Sequence, residues 1–175
     1  MSLPTLRHPG DLDAFIAALP AGPLVGVEVG TFRGAGAAQL LASGKFATLY
    51  CVDEWRGGYD PDDLASGADM EAARADYAAG PGRDPRVVTI RAASTVAAGR
   101  FAYRSLDVVY LDADHRYVEV VKDLLAWQMR VKPGGIIAGH DYGRASHPGV
   151  KFAVDDVIGV PDMVFGDSSW LKRVR

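Results

Sequence analysis

The chain carries one cysteine, Cys51, so no internal disulfide can brace it. It contains no stretch of ~18 uninterrupted apolar residues, which excludes a helical membrane span. Behind Met1 there is no cationic segment followed by an apolar run, so no secretory leader is expected, and together with the lone thiol this points to a reducing, cytoplasmic setting. A basic surplus is also missing: 19 basic residues stand against 22 acidic ones, for a net charge of -3, and the basic ones are scattered. Bulk charge therefore gives no attraction for nucleic acid, and no membrane partner is expected. The most basic segment, residues 171–175, reads as a solvated tail. Internal repeats, low-complexity tracts and linkers are absent as well.

What is present is an ordinary globular composition, 49% hydrophobic and 23% charged over 175 residues. A chain of this length buries roughly 70% of its unfolded surface, so it holds a core without disulfides or a structural metal. A single domain over residues 1–175 is expected, with residues 1–20 contributing an N-terminal helix packed on it. In residues 11–19, Leu12, Phe15, Ile16 and Leu19 fall on one helical face, Asp11 is placed to cap and Pro20 to stop. From residue 24 onward, short apolar runs without alternation (24–29, 47–52, 87–90, 106–111, 135–138) are separated by helical stretches (35–42, 69–79, 95–100, 116–130). Runs of this kind suit strands covered on both faces, and the alternation predicts right-handed crossovers in a doubly wound α/β sheet. A helix near 150–158 then leads to a hairpin, with 163–165 and 170–174 flanking a polar turn.

Nearly every one of these runs ends in a small or acidic polar group: Glu28-Val29-Gly30, Asp53-Glu54, Ala93-Ser94, Asp112-Ala113-Asp114-His115 and His140-Asp141. In an open parallel sheet the carboxyl ends of the strands share one edge, where ligands bind, so five strand ends converge on one cleft. Taken singly, Ser94 and Asp114 would be ordinary helix caps, and His115 an orienting group for the helix from Arg116.

Gly30-Thr31-Phe32-Arg33-Gly34-Ala35-Gly36 is a strand-loop-helix of the nucleotide-binding type, but Phe32 occupies the place of the second glycine in the dinucleotide fingerprint. A side chain there obstructs a diphosphate, and the carboxylate of Glu28 opposes a phosphate while favouring an ammonium or sulfonium. Asp53, at the end of the second run, suits a vicinal diol such as a ribose. Trp55 is placed either to stack on a purine or to cover the sheet edge, and Ser94 to address an adenine edge.

The motifs Glu28-x-Gly30-x-Phe32-x-Gly34, Val52-Asp53-x-Trp55, Asp112-Ala113-Asp114-His115-x-Tyr117 and Lys132-Pro133-Gly134-Gly135…Gly139-His140-Asp141-Tyr142 resemble class I S-adenosylmethionine-dependent methyltransferases. The closest likeness is to the small methyltransferase family 24, with a more distant one to the catechol and caffeoyl-CoA O-methyltransferases. The resemblance covers about residues 24–170. It implies a Rossmann-like, seven-stranded, mostly parallel sheet with an antiparallel C-terminal hairpin strand. It also implies that Glu28 and Gly30 lie by the methionine part of S-adenosylmethionine, that Thr31 and Phe32 line it, that Asp53 holds the ribose, that Ser94 faces adenine and that Asp112 approaches the amino group. Asp112, His140 and Asp141 correspond to positions that bind Mg²⁺ or another divalent cation in several relatives, although His140 stands where those relatives often carry a carboxylate or an amide. The single helix before the first strand leaves a substrate cap either missing or supplied by another subunit of a homo-oligomer.

The expected reaction is methyl transfer to the hydroxyl of a small-molecule acceptor, in which the protein aligns the partners and removes a proton. His115 or His140 would act as general base, or a metal on Asp112, His140 and Asp141 would acidify the hydroxyl. The loop over residues 53–67 is placed to contact the acceptor or to serve as a mobile surface segment, and His8 and His147 read as solvated loop residues. Two other classes compete: an NAD-type Rossmann oxidoreductase, opposed by Phe32 and by the lack of room for a substrate domain, and a noncatalytic module that keeps the fold and binds a small ligand.

Overall fold

The apolar runs assemble into one sheet. The computed structural model describes residues 12–61 and 63–175, in the order α1 (Asp13–Ala18), β1 (Leu24–Val29), α2 (Ala35–Ala42), β2 (Phe46–Asp53), α3 (Met70–Ala79), β3 (Val87–Arg91), α4 (Ser94–Ala98), β4 (Leu106–Leu111), α5 (Tyr117–Trp127), β5 (Val131–Gly139), α6 (Pro148–Val157), β6 (Met163–Val164) and β7 (Trp170–Arg173). The seven strands lie in the order β3-β2-β1-β4-β5-β7-β6. β1 to β5 are mutually parallel, and β7 runs antiparallel to both β5 and β6. The expected doubly wound sheet with an antiparallel C-terminal hairpin strand is the one observed. The strand order reverses beside β1, where the connections to β2 and β4 leave on opposite faces and open a crevice.

Successive side chains of each strand feed two cores, one on each face. On one face Leu24, Leu49, Val108, Tyr110 and Ile136 pack with Leu40 of α2 and with Leu12 and Phe15 of the N-terminal helix. On the other, Val27, Val109, Leu111 and Ile137 pack with Leu124 and Trp127 of α5 and Val154 of α6. The helix expected over 11–19 is shorter, and its proposed cap Asp11 lies outside the described residues, as does His8. β5 starts earlier than its apolar run suggested, because Val131 pairs with Leu106 before a bulge shifts the register to Val108 and Ile136. At that irregularity Asp107 accepts the N–H of Val25 at 2.8 Å and holds Lys132 at 2.6 Å. Conversely, α5 ends at Trp127 and gives way to a 3-10 turn over Gln128–Arg130 instead of running on as helix. Among the described residues no helix is long and apolar enough to cross a membrane.

Candidate active site

A cleft of about 720 Å³ opens along the carboxyl edge of the sheet, bounded by the segments after β1, β2, β3, β4 and β5. Its lining includes Glu28, Gly30, Asp53, Ser94, Asp112 and His140, so the strand ends picked out by their polar residues do meet. Thr31, Phe32, Asp141, and Tyr59 and Asp63 from the loop after β2 also face it.

The loop after β1 is shaped by close backbone approach. Gly30 has φ +89°, and a Cβ there would lie 2.0 Å from the Asp112 carbonyl oxygen, so only glycine lets this loop pass the end of β4. Asp53 clamps the loop from the neighbouring strand: its Oδ2 accepts the Phe32 N–H at 2.7 Å and its Oδ1 accepts the Trp55 N–H at 2.6 Å. Burial pushes the Asp53 carboxyl above its ordinary value, and these backbone donors pull it back. Asp53 lines the cleft, where a carboxylate with spare acceptor capacity can accept from hydroxyls.

Two residues assigned to the cofactor point elsewhere. The indole of Trp55 is 3% exposed, packs against Tyr77 at a centroid distance of 5.2 Å and donates its N–H to the Phe32 carbonyl, so it belongs to the core under the cleft and does not stack on a ligand. Gly34 turns away as well. A Cβ there would meet Pro81 Cγ at 2.4 Å, which makes this glycine a helix-packing position. Ser94 faces the cleft, on the first turn of α4, where its Oγ accepts the Trp127 indole N–H at 2.9 Å. The neighbouring Asp123 of α5 is buried, and desolvation raises its pKa to about 6 against a lowering hydrogen bond from Ser94. The thiol of Cys51 is buried and raised by desolvation and by the Glu28 charge, so it is no nucleophile.

The acidic end of the cleft is dense. His115 Nδ1 lies 3.0 Å from Asp63 Oδ2, while its Nε2 lies 3.0 Å from Asp141 Oδ2 and 3.6 Å from Asp112 Oδ1. Burial alone would lower the pKa of this imidazole, but the carboxylates of Asp112 and Asp141 outweigh it and raise the pKa to about 10. The surrounding carboxylates thus favour the protonated form of this imidazole. The same histidine and His140 hold Asp141 below the usual carboxylate range, against the opposing effect of burial. His140 is 3% exposed, with Nδ1 3.2 Å from Asp141 Oδ2. Asp112, His140 and Asp141 offer ligand atoms that all lie within 4.8 Å of one another. Asp114 accepts the Arg116 N–H at 3.0 Å and so braces the turn into α5.

Sequence reasoning missed two members of this group. His147, taken for a solvated loop residue, stacks on His115 at a centroid distance of 4.1 Å. It is the residue before α6, and the Pro148 at the start of that helix was the local signal of a helix N-terminus. Asp63 reaches His115 across the cleft from the loop over residues 53–67, which the sequence placed at the acceptor without singling out this residue.

A doubly wound sheet with this order, an acid after β2 and a ligand cleft at the β1/β4 crevice define the class I S-adenosylmethionine-dependent methyltransferase fold. A methyltransferase domain model, family 24, matches residues 27–142, and the chain belongs to that family. No curated protein sequence matches the chain. Among solved structures, it is similar to the O-methyltransferase NovP, at 19% identity and TM-score 0.63, over 93% of this chain and 76% of that one. It is also similar to spermidine synthase from Thermotoga maritima, at 15% identity and TM-score 0.61, over 97% of this chain. A third likeness is to the calicheamicin methyltransferase CalS11, at 15% identity and TM-score 0.59, over 86% of this chain and 72% of that one. The chain spans 57% of the length of the spermidine synthase.

Proposed function

We propose that the chain transfers a methyl group from S-adenosylmethionine to a hydroxyl of a small molecule. The observation that carries this reading is the convergence of Gly30, Asp53, Ser94, Asp112 and His140 on one cleft. Gly30 lets the loop after β1 pass close against the end of β4, Asp53 accepts from a diol and Ser94 borders the adenine end. Bound there, the cofactor supplies a methyl carbon on a positively charged sulfur, which the buried carboxylate of Glu28 favours. As the acceptor oxygen bonds to that carbon, the carbon–sulfur bond breaks with its electrons on sulfur, and the hydroxyl proton has to leave. His140 takes that proton directly, or Asp112, His140 and Asp141 hold a divalent cation that acidifies the hydroxyl.

The choice of a hydroxyl acceptor is supported by the likeness to O-methyltransferases, while the likeness to spermidine synthase makes an amine acceptor the outcome to exclude. Calorimetry with S-adenosylmethionine and NAD is the test of the cofactor. S-adenosylmethionine should bind and NAD should not, and Asp53→Ala should weaken binding roughly tenfold to a hundredfold, since a charged acceptor of two hydroxyls is worth about 1.5 to 3 kcal/mol. Equal binding of NAD would overturn the reading, and unchanged affinity in the variant would remove Asp53 from the ribose site. Once an acceptor is in hand, loss of turnover in excess chelator selects the cation over His140 alone.

A further inference from the structure

We propose that Asp123, acting through Ser94, makes the end of the cleft bordered by Ser94 selective for a purine with a 6-amino group over one with a 6-oxo group. Ser94 is the group that meets the base, and Asp123 is the positioning residue behind it. The inference deepens the preceding reading and rests on it for the seat of the nucleoside beside Ser94.

The crossover helix α5 brings the side chains together. Asp123 and Trp127 stand four residues apart on it and so share one face, and α4 packs against this helix. Ser94 opens α4, just past the end of β3. The indole of Trp127 is fully buried, with the Phe101 ring at a centroid distance of 5.4 Å, so water does not serve its N–H. The acceptor it finds instead is Ser94 Oγ at 2.9 Å. Asp123 is buried as well, borders the cleft and takes a hydrogen bond from Ser94.

Counting donors and acceptors fixes what Ser94 shows to a ligand. A hydroxyl has one proton and two lone pairs, an indole nitrogen only donates, and an ionised carboxylate only accepts. Trp127 therefore occupies one lone pair of Ser94, and Asp123 takes its proton. What is left for the cleft is one lone pair and no donor. Burial raises the Asp123 pKa to about 6, with Glu119 and Asp114 opposing its ionisation and Lys122 favouring it, so the carboxylate is in place above neutral pH. The neighbouring side chains do not supply the missing donor. Ala92, Ala93 and Ala113 carry no polar side-chain atom, while Lys122 is held by Glu119 at 2.8 Å and Arg116 Nε by Asp114 at 3.0 Å.

An oxygen that only accepts suits a 6-amino group, which donates. Against a 6-oxo group it sets lone pair against lone pair, and a desolvated polar mismatch costs more than a missing hydrogen bond. If an apolar residue replaced Asp123, the Ser94 proton would be released, and the hydroxyl would turn to serve either group.

The experiment titrates the whole chain at pH 8, by calorimetry, with S-adenosylhomocysteine and with S-inosylhomocysteine, which differ only at the 6-position and N1 of the base. The adenine ligand should bind at least ~30-fold more tightly. Asp123→Leu should cut this ratio to ~5-fold or less, chiefly by tightening S-inosylhomocysteine, because the released hydroxyl then donates to the oxo group. A gain of binding is a result that a merely destabilised variant does not produce. Ser94→Ala should cut the ratio to a similar ~5-fold, here by weakening S-adenosylhomocysteine. Equal binding of the two ligands by the unmutated chain, or an unchanged ratio in Asp123→Leu, would overturn the selectivity and leave the cofactor reading standing. Binding of neither ligand would overturn both.

Discussion

The two edges of the central sheet handle charge in opposite ways. At the amino-terminal edge charged groups serve as structural braces: Lys45 Nζ donates to the Ile16 and Leu19 carbonyls at 2.7 Å, Arg86 donates to the Leu41 carbonyl at 3.1 Å, and Asp107 joins Val25 and Lys132. At the carboxyl edge Asp63, Asp112 and Asp141 crowd around His115. Phe32, Trp55 and Asp141 all have positive φ, each just past a strand that ends at the cleft, whereas Arg104, ahead of β4, is a positive-φ non-glycine residue at the opposite edge. Conformations of this kind cost of order 1 to 3 kcal/mol each, and gathered carboxylates add repulsion. Stability is thus located in the apolar interior and the amino-terminal edge, and the carboxyl edge draws on it to hold a cleft.

The sharpest way to break this comparison is to remove stability from the interior without touching the cleft. Leu124 of α5 is fully buried in the core beneath the sheet and does not line the cleft. Leu124→Ala should lower the unfolding free energy by about 3 kcal/mol, through lost transfer energy and the cavity left behind. Urea denaturation measures the loss, and calorimetry on the folded variant should find S-adenosylmethionine affinity unchanged. A matching drop in affinity would mean that interior and cleft are one cooperative element.

A second prediction uses the buried carboxyl beside the cleft and has the opposite sign. Asp123 has its folded pKa raised to about 6 by burial, above the ordinary value of 3.8. Between those two values the folded state keeps a proton that the unfolded chain releases, so the contribution of this group to stability is greatest below about pH 4, falls as pH rises to about 6 and is level beyond. Asp123→Asn should remove that slope and raise stability at pH 7 by on the order of 2 kcal/mol. Thermal melts from pH 4 to 8 check it. A variant less stable than the parent at pH 7 would show that the ionised group has a favourable partner at the cleft.

The fold was legible because its signals are local and repeated. The run 24–29 and the helical pattern 35–42 coincide with β1 and α2, since apolar length and helix periodicity are properties of neighbouring residues. The cleft was legible for the same reason, as Asp53, Asp112 and His140 each end or follow a strand. The side on which Trp55 and Gly34 lie was not, because a loop aromatic or glycine serves packing as readily as a ligand, and only the positions of Tyr77 and Pro81 decide. Nor was the His115 environment. Its character comes from Asp63, Asp141 and His147, which three different loops deliver to one point.

The smallest expected effect returns to the amino-terminal edge, where Asp107 is the counterpart of the cleft carboxylates. Its Oδ2 accepts the Val25 N–H that the bulge between Leu24 and Val25 leaves outside the strand ladder, and its Oδ1 holds Lys132. Asp107→Ala leaves that N–H without its acceptor and should cost about 1 to 2 kcal/mol. Asp107→Asn keeps an oxygen for Val25 and gives up only the half-exposed pair with Lys132, so its cost should be about 0.5 kcal/mol. The difference between the variants, read from urea unfolding in parallel, isolates the backbone hydrogen bond from the ion pair. S-adenosylmethionine affinity should be the same in both, because Asp107 does not line the cleft. If either variant altered that affinity, the bulge would be transmitting strain along β4 to Asp112, and the two edges would no longer be independent.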